Sequence, residues 1–183
     1  GKPMLCCWAR LNGYPLGIIA NNGVIFIESA RKATHFIQLA NKSNIPLLFI
    51  HNTTGFMVGK KHEQNGMINA GSQLIHAVAG STVPHISLQV GNSYGAGNYA
   101  MCGRAFGARF LWMWPNAKIS VMGGEQAANV LAQVTKDQKE KLGHPWSDQD
   151  EINLKKPILD QYAKQSHSYY ASARLWDDGI IDP

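Results

Sequence analysis

The chain has 183 residues, 45% apolar and 16% charged, a balance that excludes a disordered polypeptide and suits one globular domain. Seventeen Lys and Arg against twelve Asp and Glu leave +5, but the basic residues are scattered, with no run longer than Lys60-Lys61 and Lys155-Lys156, so no nucleic-acid surface is expected. The longest apolar runs, such as Ile45 to Ile50, fall far short of a membrane span, no signal-peptide pattern opens the chain, and Cys6, Cys7 and Cys102 read as reduced thiols matching no zinc spacing.

In chain order, Asn12-Gly13-Tyr14-Pro15 separates the short apolar stretches Cys7 to Arg10 and Leu16 to Ala20, which predicts a hairpin. Ala30, Ala33, Phe36, Ile37 and Ala40 recur at helical spacing between Glu28 and Asn41, and Ile45 to Ile50 then reads as a buried strand. The unit repeats. A loop at His51 to Gly59 leads to a helix from about Gly66 to Ala79 with Ile68, Leu74, Ile75 and Val78 on its apolar side, followed by a strand at His85 to Val90.

Gly91 to Gly97 reads as a glycine-rich loop opening a small-residue helix. Beyond it, Phe110 to Trp114 and Lys118 to Met122 are expected strands, and Gln126 to Val134 a helix with Ala127, Val130, Leu131 and Val134 on one face. Thr135 to Lys141 is a solvated helix surface or tip, and Ser147 to Asp150 has the pattern of a capping box for a last helix toward Tyr162. Helices alternating with buried strands define an α/β class. The ends at Gly1-Lys2-Pro3 and Asp182-Pro183 read as domain cuts, so residues 1–183 are expected to be a piece of a larger subunit.

Three motifs overlap in the segment Gly91 to Ala100. Gly91-x-Ser93-x-Gly95 fits a serine-hydrolase nucleophile elbow, with His144 or His167 as the conceivable base. Gly95-x-Gly97-x-x-Ala100 fits a dinucleotide fingerprint, although at least three apolar strands precede it and the first acidic residue beyond, Glu125, comes late. A third reading needs only small residues at a helix start: Gly95, Ala96 and Gly97 leave unshielded N–H groups at the positive end of the helix dipole, which makes an oxyanion site. Glycines there could also serve close helix-to-strand packing alone.

The segments His51 to Gly59, Ser93 to Tyr99, Met101 to Ala105, Trp114 to Leu131 and Trp176 to Pro183 together resemble the biotin-dependent acyl-CoA carboxyltransferases, over almost the whole chain. The resemblance implies a crotonase-like (ClpP/crotonase) domain of repeated ββα units, corresponding to the C-terminal, biotin-facing half of a β subunit whose other half binds the acyl-CoA. It implies a ligase-type carboxyltransferase that moves carboxylate from carboxybiotin to a branched enoyl-CoA such as 3-methylcrotonyl-CoA, with geranyl-CoA or another acyl-CoA as the alternative acceptor. Partners implied are a biotin carboxylase and biotin carrier α subunit and further copies of the β subunit, in the mitochondrial matrix of a eukaryote or the cytoplasm of a bacterium.

In that family's proposed chemistry, CO2 is released from carboxybiotin, the resulting ureido anion takes the substrate proton, and the enolate attacks CO2, so no protein base is required. The residues carried over are Ala96, Gly97 and Asn98, whose backbone N–H groups would form the oxyanion hole for biotin. Gly55, Phe56, Met57, Val58, Tyr94 and Gly95 would border the biotin ring, although Phe56 and Met57 equally suit plain core packing. Glu63 with Lys60, Lys61 and His62 reads as a solvated helix start, and no metal is implied. A different kind of protein is also conceivable at this stage, an assembly module without catalysis of its own.

Overall fold

The computed structural model describes residues 1–183. Strands β1 (Met4–Leu11) and β2 (Tyr14–Asn21) form the expected hairpin, in register from Met4 opposite Asn21 to Leu11 opposite Tyr14. Asn12 and Gly13 both take positive φ at the turn, 49° and 87°, the backbone that a two-residue hairpin between right-twisted strands requires. Helix α1 (Ile27–Lys42) follows and buries Ala30, Ala33, Phe36, Ile37 and Ala40 as one stripe. It stops at Asn44, which adopts φ 51° while the Ile45 amide reaches back to the Ala40 carbonyl.

Strand β3 (Leu47–Thr53), the short helix α2 (Lys60–Gln64), helix α3 (Met67–Ala79), strand β4 (His85–Tyr94) and helix α4 (Gly95–Ala100) come next. A 3-10 turn at Arg104–Phe106 then leads to β5 (Phe110–Met113), β6 (Lys118–Ser120) and the helices α5 (Gly124–Lys141), α6 (Asp148–Gln165) and α7 (Ser168–Ser172). The sheet runs β1-β2-β3-β4-β5, parallel from β2 onward, and β6 pairs in parallel with the far end of β4.

The main core lies between one face of this sheet and α1, α3 and α4, around Ile19, Ile37, Leu47, Phe49, Leu74 and Met101. β3 alternates strictly: Leu47, Phe49, His51 and Thr53 are buried, while Leu48, Ile50 and Asn52 are partly exposed. It is therefore a strand with one covered face, not one buried on both sides.

Two expected helix faces differ from those observed. On α3 the inward stripe is Met67, Ala70, Gly71, Leu74 and Val78, and Ile68 is 71% exposed because it stands one position off that stripe. On α5 the buried residues are Ala127, Ala128 and Ala132, whereas Val130, Leu131 and Val134 face outward. α6 packs on the small-residue side of α5, close enough that a Cβ on Gly124 would meet the Tyr162 Cβ at 2.9 Å. Ser147 forms the expected capping box with Asp150, and Thr135 to Lys141 continue α5 as its solvated end.

Candidate active site

The glycine-rich segment is not a loop. β4 runs through Gly91 to Tyr94, and α4 begins at once at Gly95. What makes this possible is an irregularity in the β3–β4 ladder: His51 pairs with Gln89 but Thr53 pairs with Ser93, so β4 carries extra residues and bends. Gly91 sits in the bend, where a Cβ would come within 2.4 Å of Asn52 Oδ1. Past it, Asn92, Ser93 and Tyr94 pair with β6.

Gly95 makes the reversal from strand to helix at φ 53°, with the Val121 carbonyl 2.7 Å from where a Cβ would stand, so only glycine fits. As the first residues of an α-helix, Gly95, Ala96 and Gly97 have no intrahelical acceptor for their N–H groups, and none of them donates in the turn, loop and cap bonds. The Asn98 amide is the first that helical geometry pairs internally.

The sequence-expected residues fall into two sets. Gly97 is buried against the end of β3: a Cβ on it would lie 3.0 Å from the Gly55 Cα and from Thr53 Oγ1. Ala96 beside it is exposed, as is Thr54, and Gly55 is partly exposed, so the first turn of α4 and the loop after β3 form one surface. A Cβ on Gly55 would meet nothing within 4 Å, and at φ 125° the position holds its loop by accepting from the Ile25 amide and donating to Thr53 Oγ1.

Phe56 and Met57 are half-buried against the main core, with the Phe56 ring 3.3 Å from where a Gly71 Cβ would be. Val58 is 75% exposed. Tyr94 is buried, donates its hydroxyl to Asn92 Oδ1 at 2.9 Å, and lines a cavity of about 400 Å³ with Lys118, Gly123, Gly124, Glu125 and Tyr162. Sequence reasoning met Glu125 only as a late acidic residue for a dinucleotide fingerprint and did not place the Gly123 to Glu125 segment beside Tyr94.

Asn98 contributes its side chain to the interior. Its Nδ2 donates to Ser93 Oγ at 2.8 Å, and Ser93 Oγ lies 2.9 Å from His51 Nδ1. Ser93 and His51 are both fully buried, so the nucleophile-elbow reading fails on access alone, and His144 and His167 have no contact with the serine. Burial holds the His51 imidazole down to about 3, with the Met101 backbone carbonyl opposing the shift only in part. His51 escaped sequence reasoning, although its place in the Leu47, Phe49, Thr53 parity marked it as a core residue.

The surface beside α4 thus offers unpaired amides and small residues, and no ionised acid or base among its hydrogen-bonded neighbours. No three His, Cys, Asp or Glu side chains stand together in a geometry for a metal ion.

The architecture is that of carboxyltransferase β subunits with the crotonase-like fold. The geranyl-CoA carboxylase β subunit of P. aeruginosa superposes with a TM-score of 0.92 at 46% identity, over 100% of this chain and 34% of that one. The chain belongs to the carboxyl transferase domain family, whose model matches residues 1–183.

Among curated relatives, the biotin-dependent 3-methylcrotonyl-coenzyme A carboxylase beta1 subunit of Mycobacterium tuberculosis is 56% identical over 100% of this chain and 35% of its own length. The mitochondrial methylcrotonoyl-CoA carboxylase beta chain of Dictyostelium discoideum is 55% identical over 100% of this chain and 31% of its own length. The chain spans about a third of the length of the relatives it matches.

Proposed function

We propose that the chain is the biotin-facing part of a carboxyltransferase β subunit that passes carboxylate from carboxybiotin to a branched enoyl-CoA, 3-methylcrotonyl-CoA foremost. The observation that carries this reading is the first turn of α4: two unpaired amides, Ala96 and Gly97, braced from below by Gly55 and Thr53. The carboxylate and the proton acceptor belong to the chemistry of biotin, carried on a partner subunit. The chain's own task is electrostatic. Fixed N–H dipoles stabilise charge as it develops, and loss of one such donor in other enzymes costs ~2.7 to 4 kcal/mol.

His51, reached from α4 through Ser93 and Asn98, is buried and stays neutral. The acceptor assignment is supported by the 3-methylcrotonyl-CoA carboxylases that are the two relatives above, with geranyl-CoA as the alternative suggested by the superposed structure. Assembly with further copies and with a biotin-carrying α subunit is supported by apolar surface without cover in this chain, notably Val130, Leu131 and Val134 on α5. For a eukaryotic source the expected compartment is the mitochondrial matrix, for a bacterial one the cytoplasm; no helix is long and apolar enough to cross a membrane.

The deciding experiment is a carboxylation assay of the full-length subunit, with its biotin-bearing partner, over a panel of acyl-CoAs. The expected result is highest kcat/KM for 3-methylcrotonyl-CoA. Preference for geranyl-CoA would overturn the acceptor assignment, and no biotin-dependent transfer to any acyl-CoA would overturn the reaction class.

A further inference from the structure

Behind the first turn of α4, whose amides lack an internal acceptor, lies a polar relay that the carboxylation chemistry does not use directly. Asn98, in the middle of α4, donates Nδ2–H to Ser93 Oγ at 2.8 Å; Ser93 is the penultimate residue of β4 and fully buried. That oxygen lies 2.9 Å from Nδ1 of His51 on the neighbouring strand β3, also fully buried. An amide N–H can only donate, so Ser93 accepts from Asn98; with the imidazole proton on Nε2, the Ser93 hydroxyl donates its own proton to His51 Nδ1.

The side-chain bond from Asn98 to Ser93 closes a ring across Tyr94 to Gly97, the same turn that holds the unpaired amides. His51 is fixed in turn by its strand. Its ladder partner is Gln89, on the same covered face, whose amide oxygen and nitrogen are both buried without a protein partner. A second serine on that face, Ser87, donates to the Cys102 carbonyl at 2.6 Å, just beyond the C-terminus of α4. A core built for packing alone would fill these positions with apolar side chains, because each buried polar group costs free energy unless bonded. Here β3 and β4 instead hold α4 by directional bonds.

We propose that His51, acting through Ser93 and Asn98, is a positioning residue that sets the aim of the Ala96 and Gly97 amides. The inference rests on the reading of those amides as the oxyanion site. The relay converts the register of two core strands into the orientation of one helical turn: an imidazole that accepts from Ser93 locks the hydroxyl rotor, and the locked oxygen locks Asn98. Replacing the imidazole by an apolar group leaves the serine proton without an acceptor and frees the turn.

The test compares Ser93→Ala, His51→Leu and His51→Asn in the full-length subunit with its biotin-bearing partner, by amide hydrogen exchange over residues 93–103 and by steady-state kinetics. The His51→Asn side chain keeps an acceptor for the Ser93 hydroxyl. Loss of the buried bond is expected to speed exchange at the paired amides Asn98 to Met101 by about tenfold in Ser93→Ala and His51→Leu, with α1 unchanged. Their kcat is expected to fall ~10- to 100-fold at constant KM for the acyl-CoA. His51→Asn is expected to restore both.

Exchange over 93–103 unchanged in Ser93→Ala, which removes a single heavy atom, overturns the relay. So does a His51→Asn variant as loose as His51→Leu. Looser exchange with undiminished kcat would instead overturn the reading of α4 as the oxyanion site, which separates the two failures.

Discussion

Gly97 and the Cα of Gly55 are in van der Waals contact across the end of β3, so close that a Cβ at position 97 would lie 3.0 Å from the Gly55 Cα. This single approach joins the two segments expected to form the biotin side of the site. It also explains why both are glycine: Gly97 has no room for a side chain, and Gly55 holds φ at 125°.

Gly97→Val is accordingly expected to abolish carboxyl transfer, and Gly97→Ala to reduce it by at least ~100-fold while costing ~1 to 3 kcal/mol of stability through overpacking. Thermal melts alongside transfer rates separate the two effects. A Gly97→Ala enzyme with a normal rate would remove position 97 from the site.

Stability is expected to fall on mild acidification. The folded His51 is held near 3 by burial, whereas the unfolded imidazole titrates at about 6.5. The group's folded value is depressed, so its contribution is complete above pH 6.5 and is lost as pH falls from there toward 3. Burial lowers the folded value of His85 too, which adds to the same loss. Each such proton steepens the slope by up to ~1.4 kcal/mol per pH unit. Urea melts at pH 7.5 and 5.5 measure this, and the His51→Asn variant should show a shallower dependence.

Below that range Asp178 becomes sensitive as well. The Arg104 guanidinium, with the Leu111 amide, holds its carboxyl below the ordinary value of 3.8. Its stabilisation is present above 3.8 and lost as pH drops through the depressed folded value. Arg104→Gln is expected to flatten the acid limb of the stability profile below pH 4, measured against the parent.

Ser93 is expected to be inert toward a fluorophosphonate probe, because its hydroxyl is fully buried and already bonded at both sides. Mass spectrometry of the treated protein checks this. Labelling of Ser93 would restore the hydrolase reading.

At the other end of the chain, Ser147→Ala removes the cap of α6, where Ser147 accepts from the Asp150 amide and Asp150 answers to the Ser147 backbone. A loss of ~1 kcal/mol is expected by chemical denaturation. A Ser147→Asp variant should retain most of it.

Local chemistry was written plainly in the residues. Asn12-Gly13 specified the hairpin through positive φ, the Ala30 to Ala40 stripe specified α1, and Ser147 to Asp150 specified where α6 starts, because each signal acts within a few residues of itself. The small residues Gly95, Ala96 and Gly97 likewise announced a helix start with free amides. Partners distant in sequence were not written there. That His51 would meet Ser93, 42 positions away, depends on the ladder shift between β3 and β4, and that Gly97 would rest on Gly55 depends on the same bend.

The outward turn of Val130, Leu131 and Val134 was equally invisible, since periodicity defines a stripe but not which neighbour covers it, and α6 chose the alanine side. Sequence determined the elements and the kind of site; tertiary structure alone decided which surfaces meet. The reason is physical: backbone preference and capping are short-range, whereas strand register and close packing are settled only when the whole core condenses.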